Sequence, residues 1–105
     1  MLRTGGVLTS LSVARCKLTS DIVPTIVQAL IDNKNILSLD VSYNPELLGT
    51  VSACQVMGTL LEKGGLVNVL LNNCGINDRG FMELTRGASC SRSVRTLELS
   101  NNKIG

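Results

Sequence analysis

Eleven residues recur four times along this chain, and that recurrence restricts the available folds more than any other feature. The copies are LTSLSVARCKL from Leu8, ILSLDVSYNPE from Ile36, LVNVLLNNCGI from Leu66 and VRTLELSNNKI from Val94. Each carries apolar residues at its first, fourth and sixth places. These are Leu8, Leu11 and Val13, then Ile36, Leu39 and Val41, then Leu66, Val69 and Leu71, then Val94, Leu97 and Leu99. The ninth places hold Cys16, Asn44, Cys74 and Asn102. A repeat of this kind implies one structural unit used several times, each burying its apolar side against its neighbours.

The starts at 8, 36, 66 and 94 are 28, 30 and 28 residues apart. The two extra residues sit in NPELLG, where Leu48 rather than Glu46 takes the eleventh place held by Leu18 and Ile76. With that shift, Ile22, Val23, Ile26 and Leu30 align with Ser52, Ala53, Val56 and Leu60, and with Gly80, Phe81, Leu84 and Ala88. Places five, eight and twelve beyond the eleventh have helical spacing, while the alternation before the ninth is that of a strand. Each unit therefore reads as strand, turn, helix. Strands are predicted near 10–13, 38–41, 68–71 and 96–99, and helices near 21–32, 50–63 and 78–89. Ser20 or Asp21 is expected to cap the first helix and Asn77 or Asp78 the third. Pro24 falls at about the third or fourth helical position. Gly64 and, less ideally, Asn33 are expected as left-handed stops.

Composition fits thin stacked layers. A hydrophobic share of 44% with 17% charged residues is that of a globular chain. With Phe81 and Tyr43 the only aromatics, the core must be aliphatic. The net charge is +2 and the ten Lys and Arg are scattered, so no nucleic-acid partner is expected. No apolar stretch approaches the ~20 residues that span a bilayer. The opening MLRTGGVLTSLSVARCKL, broken by Thr, Ser and Arg15, makes a weak export signal at best. No membrane association and a cytoplasmic location are therefore expected. Cys16, Cys54, Cys74 and Cys90 form no C-x-x-C pair, and there is no histidine, so free thiols are expected and no metal. The missing histidine also rules out Ser-His-Asp and Cys-His catalysis. The Gly pairs at 5–6 and 64–65 lack the Lys and Ser or Thr of a phosphate loop. Neither an enzyme nor a cofactor is expected.

The pattern L-x-x-L-x-L-x-x-N/C-x-L, met four times in register, resembles the leucine-rich repeat. The unit length, the full helix and the Cys/Asn alternation resemble its ribonuclease-inhibitor-like class, from about Val7 to the end. The resemblance implies an α/β solenoid: a right-handed βα horseshoe with a parallel sheet on the concave side and helices on the convex side. It implies one domain over 1–105 with an incomplete last unit. Two departures stand out. The NPELLG turn is expected to bulge from the rim. The chain also stops at SNNKIG without a capping unit, as expected of a fragment of a longer solenoid or of an end covered by another molecule. NOD-like receptors, actin regulators, Ran GTPase-activating proteins and ciliary proteins share such units, so the resemblance specifies an architecture rather than a task.

At the ninth place Asn can satisfy turn backbone in its own and the adjacent coil, whereas Cys fills space as a buried, inert thiol. Cys16, Asn44, Cys74 and Asn102 thus form a structural ladder. Cys54 and Cys90, outside it, are expected to be ordinary, partly exposed thiols. The third and fifth places point away from the core. They hold Ser10 and Ser12, Ser38 and Asp40, Asn68 and Leu70, and Thr96 and Glu98. Ala14 and Arg15, Ser42 and Tyr43, Asn72 and Asn73, and Ser100 and Asn101 extend this surface, with Leu70 and Tyr43 as its apolar anchors. The expected function is a protein–protein interaction module using the concave sheet or its rim. The alternatives implied by the resemblance are a Ran-regulator-like GTPase-activating domain using Arg15, or a cytoskeletal or ciliary scaffold. Uncovered Val94, Leu97 and Leu99 and an open last strand predict a homo-oligomer through the solenoid ends when the chain is made alone.

Overall fold

The structure, a computed structural model, describes residues 9–33 and 35–102. Four strands, β1 (Ser10–Ser12), β2 (Ser38–Asp40), β3 (Asn68–Leu70) and β4 (Thr96–Glu98), form one parallel sheet in chain order. Three helices connect them: α1 (Val23–Asp32), α2 (Val51–Lys63) and α3 (Asp78–Cys90). Parallel neighbours need such crossovers. The register aligns Leu11 with Leu39, Val69 and Leu97, the fourth place of every unit. Leu39 and Val69 are sealed, at 1% and 0% exposure, and Leu11 and Leu97 in the outer strands pack partly buried against the same core. Leu8 and the Gly pair at 5–6 lie outside the described residues.

The sixth places Val41 and Leu71 and the first places Ile36 and Leu66 continue the core under the sheet. A fully buried leucine or valine contributes ~1.5–3 kcal/mol. The ion pair of Arg86 with Glu83 at 3.4 Å lies within α3, with Arg86 mostly exposed, and contributes ~0–1 kcal/mol. Aliphatic packing, not charge, holds the units together.

Several local expectations are corrected. Neither Ser20 nor Asp21 caps α1: Ser20–Ile22 forms a 3-10 turn, the Thr19 hydroxyl bonds Asp21 instead, and α1 starts without a side-chain cap. Pro24 lies in the first turn of α1 and not at the third or fourth place. There its missing N–H leaves no helical bond unmade. Asn77 does cap α3, accepting from the Gly80 N–H at 2.9 Å, and Thr50 caps α2 through Ala53 at 3.1 Å. Gly64 ends α2 in an extended conformation (φ −82°, ψ 179°), and Asn33 ends α1 at φ −119°; neither is left-handed. The NPELLG segment is exposed at Pro45, Glu46 and Gly49. It folds Leu47 and Leu48 into the core at 0% and 1% exposure.

The helix faces also rotate from the expected ones. Ser52 is exposed; Val27 on α1 is buried, and so are Cys54, Met57 and Leu61 on α2, which is enclosed between α1 and α3 and buries more than one stripe. Close approach of α2 and α3 rests on Gly58 and Gly87. A Cβ on Gly87 would lie 2.2 Å from the Gly58 carbonyl oxygen, a backbone atom that no side-chain rotation removes. By contrast, a Cβ on Gly49 meets nothing within 4 Å. Gly87→Ala is expected to lower stability by about 1–3 kcal/mol, the usual cost of overpacking, and Gly49→Ala to change it far less. Chemical denaturation of the two variants checks this, and equal losses would contradict the helix contact.

Candidate functional site

Where the chain leaves each strand, polar groups of the turn must be satisfied away from water. Asn44, fully buried, does this for the first and second coils at once. Its Oδ1 accepts from the N–H groups of Cys16 and Leu18, both at 3.0 Å. Its Nδ2 donates to the carbonyls of Val13 (3.1 Å), Val41 (2.7 Å) and Ser42 (3.3 Å). Asn102 repeats the arrangement one pair of coils later. It accepts from Cys74 N (2.8 Å) and Ile76 N (3.1 Å) and donates to Leu71 O (2.9 Å), Leu99 O (3.0 Å) and Ser100 O (3.3 Å).

Cys74 copies this arrangement only weakly. Its Sγ–H reaches Val41 O at 3.2 Å, the sixth-place carbonyl that an amide would take. As an acceptor its sulfur faces the Asn44 N–H, more weakly than an amide oxygen would, and the inserted residues serve the rest of that turn. Pro45 brings no N–H. Leu47 N donates to Asn44 O at 2.9 Å, and Leu48 N to the Cys74 carbonyl at 3.0 Å. The insertion runs so close to the next turn that a Cβ on Gly75 (φ 79°) would sit 2.3 Å from Pro45 O. Cys16, expected among the buried thiols, is exposed, because the first coil has no described neighbour on that side.

The eighth place is left-handed in every coil: Arg15 at φ 59°, Tyr43 at 62°, Asn73 at 52° and Asn101 at 59°. That conformation costs an ordinary L-residue roughly 1–2 kcal/mol, and less for Asn. It is imposed by a ladder in which Arg15 N donates to Ser42 O (3.1 Å), Tyr43 N to Asn72 O (2.8 Å) and Asn73 N to Ser100 O (2.9 Å). The sequence hinted at this only through Asn73 and Asn101. The Arg15 guanidinium lies 4.2 Å from the centre of the Tyr43 ring, a cation–π contact.

On the open side of the sheet the register sets two rows. Ser10, Ser38, Asn68 and Thr96 form one, and Ser12, Asp40, Leu70 and Glu98 the other. All eight side chains are exposed or half-buried. Neighbouring strands are ~4.8 Å apart, so Asp40 and Glu98 flank Leu70. Asn72 bridges Glu98 at 3.1 Å and accepts from Ser100 N at 2.7 Å, and Asn68 donates to Ser38 at 3.3 Å. Ser42, expected on this surface, is instead buried at 2% and accepts from Asn72 N at 3.1 Å. Its own N–H donates to Asp40 Oδ1 at 2.9 Å. Among the described residues no His, Cys, Asp and Glu side chains converge as metal ligands, and no helix is long and apolar enough to cross a membrane.

Cys54 departs from expectation: it is fully buried, with Sγ 3.4 Å from Leu48 O. Burial pushes its thiol up to about 11, helped by the charge of Glu83. Burial likewise pushes Cys74 up to about 12. In the folded chain a disulfide reagent is expected to titrate Cys16 and Cys90 quickly, and Cys54 and Cys74 only on unfolding. Below pH 9 these buried thiols are neutral in both states; above it the unfolded chain ionises first and binds fewer protons. Stability should therefore fall as pH rises from about 9 toward 11–12. Four fast thiols, or stability rising over that range, would refute the buried assignment.

A family model described as Leucine Rich repeat matches residues 90–105, the stretch holding β4 and its turn. Over its whole length the chain is 33% identical to the ribonuclease inhibitor of Sus scrofa and 30% identical to that of Mus musculus, spanning 23% of each. It is also 30% identical, over 73% of its length, to 5% of the FERM domain-containing protein C of Dictyostelium discoideum. The repeated strand–turn–helix unit, the parallel sheet in chain order and these likenesses agree: the chain belongs to the leucine-rich repeat proteins, in their ribonuclease-inhibitor-like class.

Proposed function

We propose that the chain is a protein-interaction module that holds a macromolecular partner on the open face of its sheet and the adjoining turn rim. The register carries this reading: two rows of side chains, one including Leu70 between Asp40 and Glu98, face away from the packed core in four aligned strands. The packing comes from the buried places beside them. Small hydroxyl and amide side chains leave the sheet accessible, and Leu70 and Tyr43 offer the apolar contacts that tend to dominate interface energy.

Two relatives are named as inhibitors of ribonuclease, which makes a ribonuclease a concrete first partner to try. In this reading the module binds and does not catalyse. Its four free thiols suit a reducing, cytoplasmic compartment.

Affinity capture with the intact protein, compared with a Leu70→Ala/Glu98→Ala variant, tests the face. Both positions are exposed or half-buried, so the variant is expected to keep its circular dichroism and melting temperature. Binding of a partner held by the parent should weaken about tenfold or more. Equal capture by both would move the working surface to the helical side.

A further inference from the structure

Resting on the interaction reading above, the structure assigns a second, chemically distinct contact at the rim of the first two coils. We propose that Arg15 and Tyr43 anchor an acidic, partly apolar segment of the protein partner. The choice of residues at the eighth place is the first reason. All four coils need a left-handed residue there, and the third and fourth use Asn73 and Asn101, which adopt that conformation readily. The first two coils place Arg15 and Tyr43 in the same backbone geometry. A strained position occupied by a large side chain, where a neighbour uses a relaxed one, points to work done by the side chain.

The second reason is what those side chains do. Tyr43 is 37% exposed and is the sole tyrosine in a chain without tryptophan. Arg15 lies over its ring at 4.2 Å, which orders both groups before any partner arrives. A guanidinium lying over a ring still has its N–H edge to offer, and that edge fits a carboxylate. Among the described residues no carboxylate lies within ion-pair distance of Arg15. Lys17, also left-handed at φ 58°, adds a second cation on the same rim.

The third reason is space. Lys17 and Pro45, two residues beyond Arg15 and Tyr43, line with Leu18, Thr19 and Glu46 a mainly apolar groove of about 190 Å3. Glu46 is the one acid in that lining, and it does not reach Lys17 within ion-pair distance. A partner carboxylate at Arg15 with a neighbouring aliphatic side chain over Leu18 and Pro45 would satisfy the charge and fill the groove. Arg and Tyr are residue types that commonly dominate such contacts. The rim therefore takes an acidic element of the partner, while Asp40 and Glu98 stand on the strands of the open face.

Tyrosine fluorescence reports on Tyr43 alone, so the test needs no label. The chain is titrated with the blocked tetrapeptide LEEL and with its counterpart LKKL, at low and high salt. A saturable change with LEEL, weakened by salt and about tenfold weaker in Arg15→Asn, is the expected result. The Arg15→Asn chain should melt no lower than the parent, since Asn is what later coils carry there. Preference for LKKL, or a LEEL response unchanged in Arg15→Asn, overturns the assignment. A saturable response to neither peptide also overturns it, while leaving capture through Leu70 and Glu98 on the sheet intact. Loss of stability in Arg15→Asn would make the stack structural and likewise overturn it.

Discussion

Each coil must turn out of its strand inside a packed column, and the turn's N–H and C=O groups have to be satisfied there without water. The rest of the structure depends on how that is done. Asn44 and Asn102 each make five hydrogen bonds that join two successive coils. An unsatisfied buried N–H costs about 1–3 kcal/mol, so a single amide serving several groups is worth as much as a buried leucine. Alternation follows from this chemistry. An amide reaching back supplies an acceptor that the preceding coil lacks, and that coil can then carry the smaller cysteine.

Between the second and third coils the order is reversed, and a thiol has to reach back. Sulfur donates weakly to Val41 O and accepts weakly from the Asn44 N–H. The two-residue insertion answers this by turning its own donors elsewhere, and its leucines become part of the core. Cys74, Pro45, Leu47, Leu48 and Gly75 are thus one adaptation, with Gly75 required because Pro45 O lies where a Cβ would be. The same turn column sets the left-handed eighth place and so aims Arg15 and Tyr43 from the rim.

The repeat made the fold legible in the sequence. Alternation placed Leu11, Leu39, Val69 and Leu97 in one inward row, and the strands and helices begin and end within a residue or two of expectation. Failures were local and have physical causes. Matching α2 to α1 by spacing missed that α2 is flanked on two sides, so Cys54, Met57 and Leu61 were not read as buried. The NPELLG segment looked like surplus because the hydrogen-bond deficit of a cysteine is visible only once coils are stacked. Ser42 looked like an outward polar residue, although its hydroxyl accepts a backbone N–H from the next coil. The rows of the open face could be placed from the strand period, but the Arg15–Tyr43 stack could not, since it depends on backbone signs that neither residue type announces.

The two surfaces have different origins. The sheet face is what remains when every inward place is spent on packing, whereas the rim is shaped by turn chemistry. Backbone amide exchange tests the shared foundation most directly. In an Asn44→Cys variant, protection at the Cys16 and Leu18 amides should fall on the order of ten- to a hundredfold further than at Leu39 and Val69. Protection at Cys74 and Ile76, held by Asn102, should follow only the general change. A uniform loss across all of these amides, or full protection at Cys16 and Leu18, would contradict the claim that each asparagine secures the coil before it.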